Sequence, residues 1–366
     1  MDKEIPYRHG GKPRLDFLRL NLRERPVFDF SVNLNPLGPP KIIKEKWLEL
    51  SEGIENYPTL HGEGVVSYYE KQFGISPKNI LAGNGSTEMI YLIPRALQIK
   101  KIVILMPSYH DYSRASNVAG AEVIPCGLSP ENSFRLKEID KVVKALENAD
   151  ALWMGNPNNP TGTLFPREVI LDLAKKFPDK WFIVDEAFMP FVKEKEREET
   201  SLMGIQKWAN IMVTHSLTKF FCLAGLRLGG IIGDEHVIGR LRKIKEPWTV
   251  NGLAERIAPL LLECEDYEAK TRILIEGERK RISSIFRGMR GIHFYPSWAN
   301  FMLCQWQGSE DLDALMRHLL SNGVYIRDCR NFPGLEKNYF RFAIRSEEEN
   351  DRLITLLASC PHSIDG

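Results

Sequence analysis

Five short apolar runs constrain this chain more than any other feature: KIVIL (101–105), ALWMG (151–155), WFIVD (181–185), IMVTH (211–215) and LGGII (228–232). They are nearly continuous rather than alternating, and they often end at a polar residue. Runs of this kind read as strands covered on both faces, as in a mostly parallel sheet flanked by helices. Helical patterns lie between them, such as 167–177, REVILDLAKKF. The class is therefore α/β, with ligand groups expected at the carboxyl ends of the strands.

At 366 residues the chain is longer than one ordinary core and predicts about two domains. The expected division is a large domain over 45–250, and a smaller α+β domain made of 1–44, including an N-terminal arm, together with 251–366. In the last third a helical stretch at 310–322 ends at Asn322-Gly323, a helix-stop signal. Strands are expected at VYIR (324–327) and YFRFAIR (339–345), and a final helix near 347–359. The charge run KEKEREE (193–199) reads as a solvated loop or helix end.

A formal net charge of +1 provides no global field for nucleic acid or an anionic membrane. No apolar run reaches the ~18 residues of a membrane span, and the opening MDKEIPYRHGG lacks the apolar core of a secretion signal. The six cysteines, at 126, 222, 264, 304, 329 and 360, form no C-x-x-C pair, which argues against a zinc site or disulfide framework. A cytoplasmic protein with reduced thiols and no metal is expected.

The chemistry-bearing residues follow the apolar runs. Ser216-Leu217-Thr218-Lys219 comes directly after IMVTH, and Arg227 stands eight residues on in Gly225-Leu226-Arg227-Leu228-Gly229. Two hydroxyls and a guanidinium suit a phosphate dianion, and a lysine beside such a cradle can condense with an aldehyde. Gly83-Asn84-Gly85-Ser86-Thr87-Glu88 precedes an amphipathic helix with Met89, Leu92, Ile93, Ala96 and Leu97 on one face. Ser86 or Thr87 is expected to cap it, Gly85 allows close backbone approach, and the helix start favours an anion. Glu88 occupies the sixth position of this motif, so it is not a dinucleotide-binding G-x-G-x-x-G. Asp185-Glu186-Ala187 ends another run, and Asn156-Pro157-Asn158-Asn159-Pro160-Thr161-Gly162 follows a third. Tyr109, in Pro107-Ser108-Tyr109-His110, is a candidate stacking residue. Capping, tight turns and ordinary packing explain each of these singly; their succession after consecutive strands puts all of them on one sheet edge.

In order, GNGSTE, PSYHDY, NPNNPTG, DEAF, SLTK and GLRLG resemble the fold-type I pyridoxal-phosphate enzymes, and most closely the histidinol-phosphate aminotransferase branch, from about residue 9 to the C-terminus. Within that branch, His9-Gly10-Gly11, DFSVNLNPLGPP (29–40), DEAF, PWTVN (247–251) and RDCRNFPGL (327–335) are similar to the L-threonine-O-3-phosphate decarboxylases. The resemblance implies pyridoxal phosphate held by Lys219, with Asp185 on the ring nitrogen, Asn159 on the 3′ oxygen and Tyr109 against the ring. It implies Gly85, Ser86, Thr87, Ser216, Thr218 and Arg227 around the phosphate. Tyr57, in NYPT, resembles a tyrosine that a neighbouring subunit donates to that phosphate, so a homodimer with shared sites is implied. Related aminotransferases usually carry tyrosine where Phe188 stands, and the decarboxylases tolerate phenylalanine there.

The implied reaction removes CO₂ from L-threonine O-3-phosphate, or from O-phosphoserine, giving an amino-alcohol phosphate for the cobamide nucleotide loop. One missing methyl separates these substrates by only ~1–3 kcal/mol. Arg341 and Arg345, four apart in YFRFAIR, fall on one face of an extended strand. By resemblance Arg341 takes the carboxylate and Arg345 the substrate phosphate, with His9 and Asn33 assisting. Arg327 and Arg330 are weaker candidates, since solvent exposure explains them equally. Two other readings remain: a histidinol-phosphate aminotransferase, and a non-catalytic binding protein on the same fold, against which the presence of both Lys219 and Asp185 argues.

Overall fold

The computed structural model describes residues 9–204 and 208–360. Residues 1–8 of the expected arm, and 361–366, lie outside the described residues. After a short strand, β1 (Phe28–Asp29), the chain forms a seven-stranded sheet. Its members are β2 (Ile80–Asn84), β3 (Lys101–Met106), β4 (Glu122–Gly127), β5 (Ala151–Gly155), β6 (Trp181–Asp185), β7 (Ile211–Ser216) and β8 (Leu228–Gly233), in spatial order β2-β8-β7-β6-β5-β3-β4. All five apolar runs are strands. They are continuous because alternate residues feed two cores: Val103, Leu105, Leu152, Met154, Phe182 and Val184 pack on one face, and Ile102, Ile104, Ala151, Trp153 and Ile183 on the other.

From β7 to β4 the pairing is parallel, whereas β8 runs antiparallel to both β7 and β2. That reversal matters for the site. β8 starts at the edge where its neighbours end, so Arg227, just before it, joins the residues that follow the other strands. Gly229 permits the crowding there: a Cβ on it would sit 2.7 Å from the Ser86 amide nitrogen and 2.7 Å from the His215 carbonyl oxygen. β2 and β4 are not among the five runs. β4 is an edge strand, half-exposed, with Pro125 inside it, so it lacks the pattern of a buried strand.

The last third supplies β9 (Ile292–Phe294), β10 (Phe301–Trp306), β11 (Val324–Tyr325), β12 (Arg327–Asp328) and β13 (Tyr339–Ala343). β12-β13-β10-β9 form an antiparallel sheet, while β11 pairs in parallel with β1. The single strand expected at 324–327 is thus two, broken at Ile326 so that one half meets the N-terminal segment and the other meets β13. The strand expected over 339–345 stops at Ala343, so Arg345 lies beyond it. The helix Leu312–Ser321 is capped by Asp311 and ends at Asn322, followed by Gly323 at φ +77°. The helix Glu347–Ala358 opens with a capping box of Ser346 and Glu349. The run at 193–199 is helical over Glu194–Thr200. Among the described residues no helix is long and apolar enough to cross a membrane.

Candidate active site

A cavity lies at the strand ends, lined by Ser86, Thr87, Tyr109, Tyr112, Pro157, Asn159, Asp185, Phe188 and Lys219. Lys219 sits on the one-turn helix Leu217–Phe220 that follows β7. Burial pushes its amine down from the ordinary lysine value; Asp185 opposes this, and Arg227 and Arg341 add to it. A larger neutral fraction makes the amine a better nucleophile. Its nitrogen stands 4.9 Å from the centre of the Phe188 ring. Phe188 meets Phe301 edge-on at 4.9 Å, and the Arg341 guanidinium lies 5.0 Å from the centre of Phe301. The two phenylalanine rings thus pack against each other, one beside Lys219 and the other beside Arg341.

Asp185 closes β6. Its Oδ1 accepts from the Ala187 amide at 2.9 Å and its Oδ2 from the Tyr112 hydroxyl at 2.8 Å. Tyr109 is the N-cap residue of the helix His110–Val118, and its ring meets Tyr112 edge-on at 5.6 Å. Asn159 accepts a hydrogen bond at Oδ1 from Arg341 Nη1, so its amide NH₂ remains to face the cavity. Arg341 also donates to the Ser31 carbonyl at 3.0 Å.

The helix Ser86–Ala96 begins at Gly85, which is itself the N-cap residue at φ +73° and ψ 167°. Neither Ser86 nor Thr87 caps it, contrary to expectation; both lie in its first turn and line the cavity. The Arg227 guanidinium donates to Thr87 Oγ1 at 3.4 Å, and a Cβ on Gly85 would lie 2.7 Å from Arg227 Nη2. A helix start, two hydroxyls and a guanidinium converge where glycine leaves room, a donor set that fits a phosphate. Together with a poised amine and an acid held at the strand end, these residues fit pyridoxal phosphate. Ser216 is buried at the end of β7. The Thr218 hydroxyl donates its proton to the Leu228 carbonyl at 3.1 Å, which ties it to the start of β8 and leaves it none for a phosphate oxygen.

The substrate candidates separate. Arg341 and Arg327 face each other across β13 and β12 as Cα partners, at 5% and 6% exposure. Arg327, the weaker candidate from sequence, therefore stands beside the site rather than in solvent. Arg345 instead donates to Glu349 at 2.7 Å and to the Asp29 carbonyl at 3.1 Å. Arg330 is engaged with Asp328 and Asp313. His9 approaches Asp111 at 3.5 Å and the Tyr109 ring at 5.8 Å. Asn33 has a buried side-chain oxygen without a hydrogen-bond partner. Tyr57 is 86% exposed, stacked obliquely on Trp248 at 5.6 Å, and is not part of this chain's own cavity. Reasoning from sequence missed Tyr112, Phe301 and the Ser31 carbonyl. Tyr112 alone left a signal, three residues after Tyr109 and so on the same helical face.

The family model for aminotransferase class I and II matches residues 25–357. The chain belongs to this family. A threonine-phosphate decarboxylase of Salmonella typhimurium is 32% identical over 95% of this chain and 95% of its own length. Among solved members, the histidinol-phosphate aminotransferase of Clostridium acetobutylicum superposes with a TM-score of 0.83 at 29% identity, covering 90% of this chain and 97% of that one. The L-threonine-O-3-phosphate decarboxylase of Porphyromonas gingivalis gives 0.79 at 25% identity with the same coverages. Family membership makes this an enzyme dependent on pyridoxal phosphate and gives it the fold-type I architecture of a mostly parallel sheet with a smaller α+β part.

Proposed function

We propose that this enzyme decarboxylates L-threonine O-3-phosphate, or its serine analogue, to the amino-alcohol phosphate used in the cobamide nucleotide loop. The observation that carries this reading is the cross-strand arginine pair, Arg327 and Arg341, both buried, with Arg341 bonded to Asn159 on the wall of the lysine–aspartate site. Like charges directly opposite one another on neighbouring strands are unfavourable, and a substrate bearing both a carboxylate and a phosphate offsets that repulsion. Histidinol phosphate, an amino alcohol, carries only one of these anions.

When bound, pyridoxal phosphate supplies an aldehyde for the amine linkage and a ring that accepts the electron pair of the broken bond. Lys219 Nζ, its basicity reduced by burial, provides the amine, takes up a proton from the substrate's ammonium group on being displaced, and delivers a proton to the substrate's α-carbon once CO₂ has left. Asp185 accepts a proton-bearing nitrogen at its carboxylate, and Asn159 offers its NH₂. Arg341 grips the carboxylate and fixes its rotation, which decides the bond that breaks; this is orientation catalysis. Phe188 and Phe301 exclude water beside Lys219. Arg227, Thr87 and the helix start hold the cofactor phosphate. Lys219, Asp185, Asn159, Phe188, Arg227 and Thr87 belong to the unit spanning 45–250, and 1–44 with 251–366 form the unit that supplies Phe301, Arg341 and Arg327. A second copy of the chain covers the exposed Tyr57 and Trp248, so the working form is a cytoplasmic homodimer.

The deciding experiment supplies the holoenzyme with O-phosphothreonine, O-phosphoserine, or histidinol phosphate plus 2-oxoglutarate, and measures CO₂ and amine. One CO₂ per amine from a phosphoamino acid, with no keto acid required, is expected. Turnover that depends on the keto acid and releases no CO₂ would establish the aminotransferase instead.

A further inference from the structure

We propose that Tyr112 is a positioning residue for the cofactor, clamping Asp185 through a hydrogen bond that Gly155 makes room for. This rests on the pyridoxal-phosphate reading and is independent of the substrate.

The torsion that turns a carboxylate is soft. The bond from the Ala187 amide to Oδ1 would by itself leave Asp185 free to rock. The Tyr112 hydroxyl fixes the other oxygen at 2.8 Å, and lone pairs remain on both oxygens for the cavity. Tyr112 belongs to the helix His110–Val118, yet its partner is on β6, so its hydroxyl must pass over β5. At the crossing stands Gly155, the Cα partner of Asp185. A Cβ there would lie 3.2 Å from the Tyr112 hydroxyl oxygen and 3.3 Å from the Asn158 Cα, both closer than an unstrained contact, so alanine would press on the hydroxyl as well as on the backbone beside it. The ring is held independently: it stacks on Trp153 at 5.0 Å and 17° and meets Tyr109 edge-on. Tyr112 thereby links the tyrosine expected against the cofactor ring to the acid expected on its nitrogen. Burial, with Asp185 adding to it, pushes the phenol well above its ordinary range, so it remains a donor.

The hydroxyl separates this role from packing, because phenylalanine keeps the stack and loses the bond. Apoenzyme variants are titrated with pyridoxal phosphate, following fluorescence quenching and the visible band. A hydrogen bond to a charged group predicts roughly tenfold weaker binding for Tyr112→Phe. It also predicts a fall in kcat with KM for the phosphoamino acid unchanged, because the Tyr112 hydroxyl is engaged with Asp185 rather than with substrate. Gly155→Ala should show a smaller loss in the same direction. The double variant should be no worse than Tyr112→Phe, since both changes act on one bond. Wild-type affinity and kcat in Tyr112→Phe would overturn the proposal, and so would fully additive losses. Should Tyr112→Phe fail to fold by circular dichroism, Gly155→Ala decides: wild-type affinity there also overturns it. A wild-type apoenzyme that binds no pyridoxal phosphate would instead sink the cofactor reading itself.

Discussion

Asp185 and Glu186 are neighbours in the chain and end in opposite regimes. Asp185 faces the cavity that holds Lys219, while Glu186 turns into a second cavity behind the Lys219 helix. The same alternation separates Lys219 from Phe220, and His215 also lies at the rear. Behind the helix burial pushes two groups, Glu186 and His215, toward their neutral forms, while Arg272 and Glu268 on the same wall pair with each other at 3.1 Å. Glu186 is pushed up to about 7 although Ser201 and the Leu202 amide donate to it at 2.6 and 2.5 Å. His215 is pushed down to about 3 by burial, with Lys219 adding to the effect, and it lies 3.2 Å from the Tyr69 hydroxyl. In front, Lys219 and Asp185 line one cavity, and Arg227 and Arg341 reach its wall through Thr87 and Asn159. Depth alone therefore does not mark function here: buried polar groups occupy both faces, and what distinguishes the front is convergence of an amine, an acid and anion-binding groups on one space.

Substitutions can break this contrast. Lys219→Ala should reduce turnover by on the order of 10³-fold or more, measured as CO₂ release, while the variant still takes up pyridoxal phosphate non-covalently. Asp185→Asn should lower kcat by about a hundredfold, as expected for removing a charge aimed at the reacting system. Glu186→Gln, one residue away, should leave kcat essentially unchanged; a loss as large as that of Asp185→Asn would erase the distinction between front and rear. Arg341→Ala should reduce kcat/KM by roughly a hundredfold, through kcat as well as KM, because it removes both a buried partner for the substrate carboxylate and the constraint on its rotation.

The rear groups should act on stability instead, with opposite signs. The folded value of Glu186 lies above the unfolded one, so the folded state holds the extra proton between about 4.5 and about 7 and loses stability as pH rises through that window. Melting temperatures should show Glu186→Gln gaining on the wild type by a few degrees across it. For His215 the folded value lies below the ordinary 6.5, so the unfolded state binds the proton first and stability falls as pH drops from about 6.5 toward about 3. His215→Asn should lessen that acid loss. The smallest effect belongs to Arg345→Ala. Its partner Glu349 is an i,i+4 neighbour on a partly exposed surface, so unfolding should register about 1 kcal/mol or less and KM should not move.

The central strands were legible because burial on both faces writes a continuous apolar run, and each of the five runs is a strand within one residue. β2 and β4 were not, since an edge strand with Pro125 and a short strand running into Gly-Asn-Gly carry no such pattern. Arg341 and Arg345 looked equivalent at period-two spacing. The strand ends at Ala343, however, and the capping box of the next helix places Glu349 within reach of Arg345. Arg327 was undervalued because its burial depends on β12 pairing with β13, which no local pattern announces.

By itself, then, the sequence determined the α/β class, the strand ends that bear the chemistry, and the residue types at a pyridoxal-phosphate site, because these follow from local apolar patterning and from motifs fixed in order along the chain. Only the tertiary structure decided that Arg227 joins the site through an antiparallel strand, that Thr218 serves the backbone, that Arg341 meets Arg327, and that Tyr112 reaches Asp185 over Gly155. Each of these depends on strand direction, register and the space a missing side chain leaves, and such quantities exist only once distant segments are packed together.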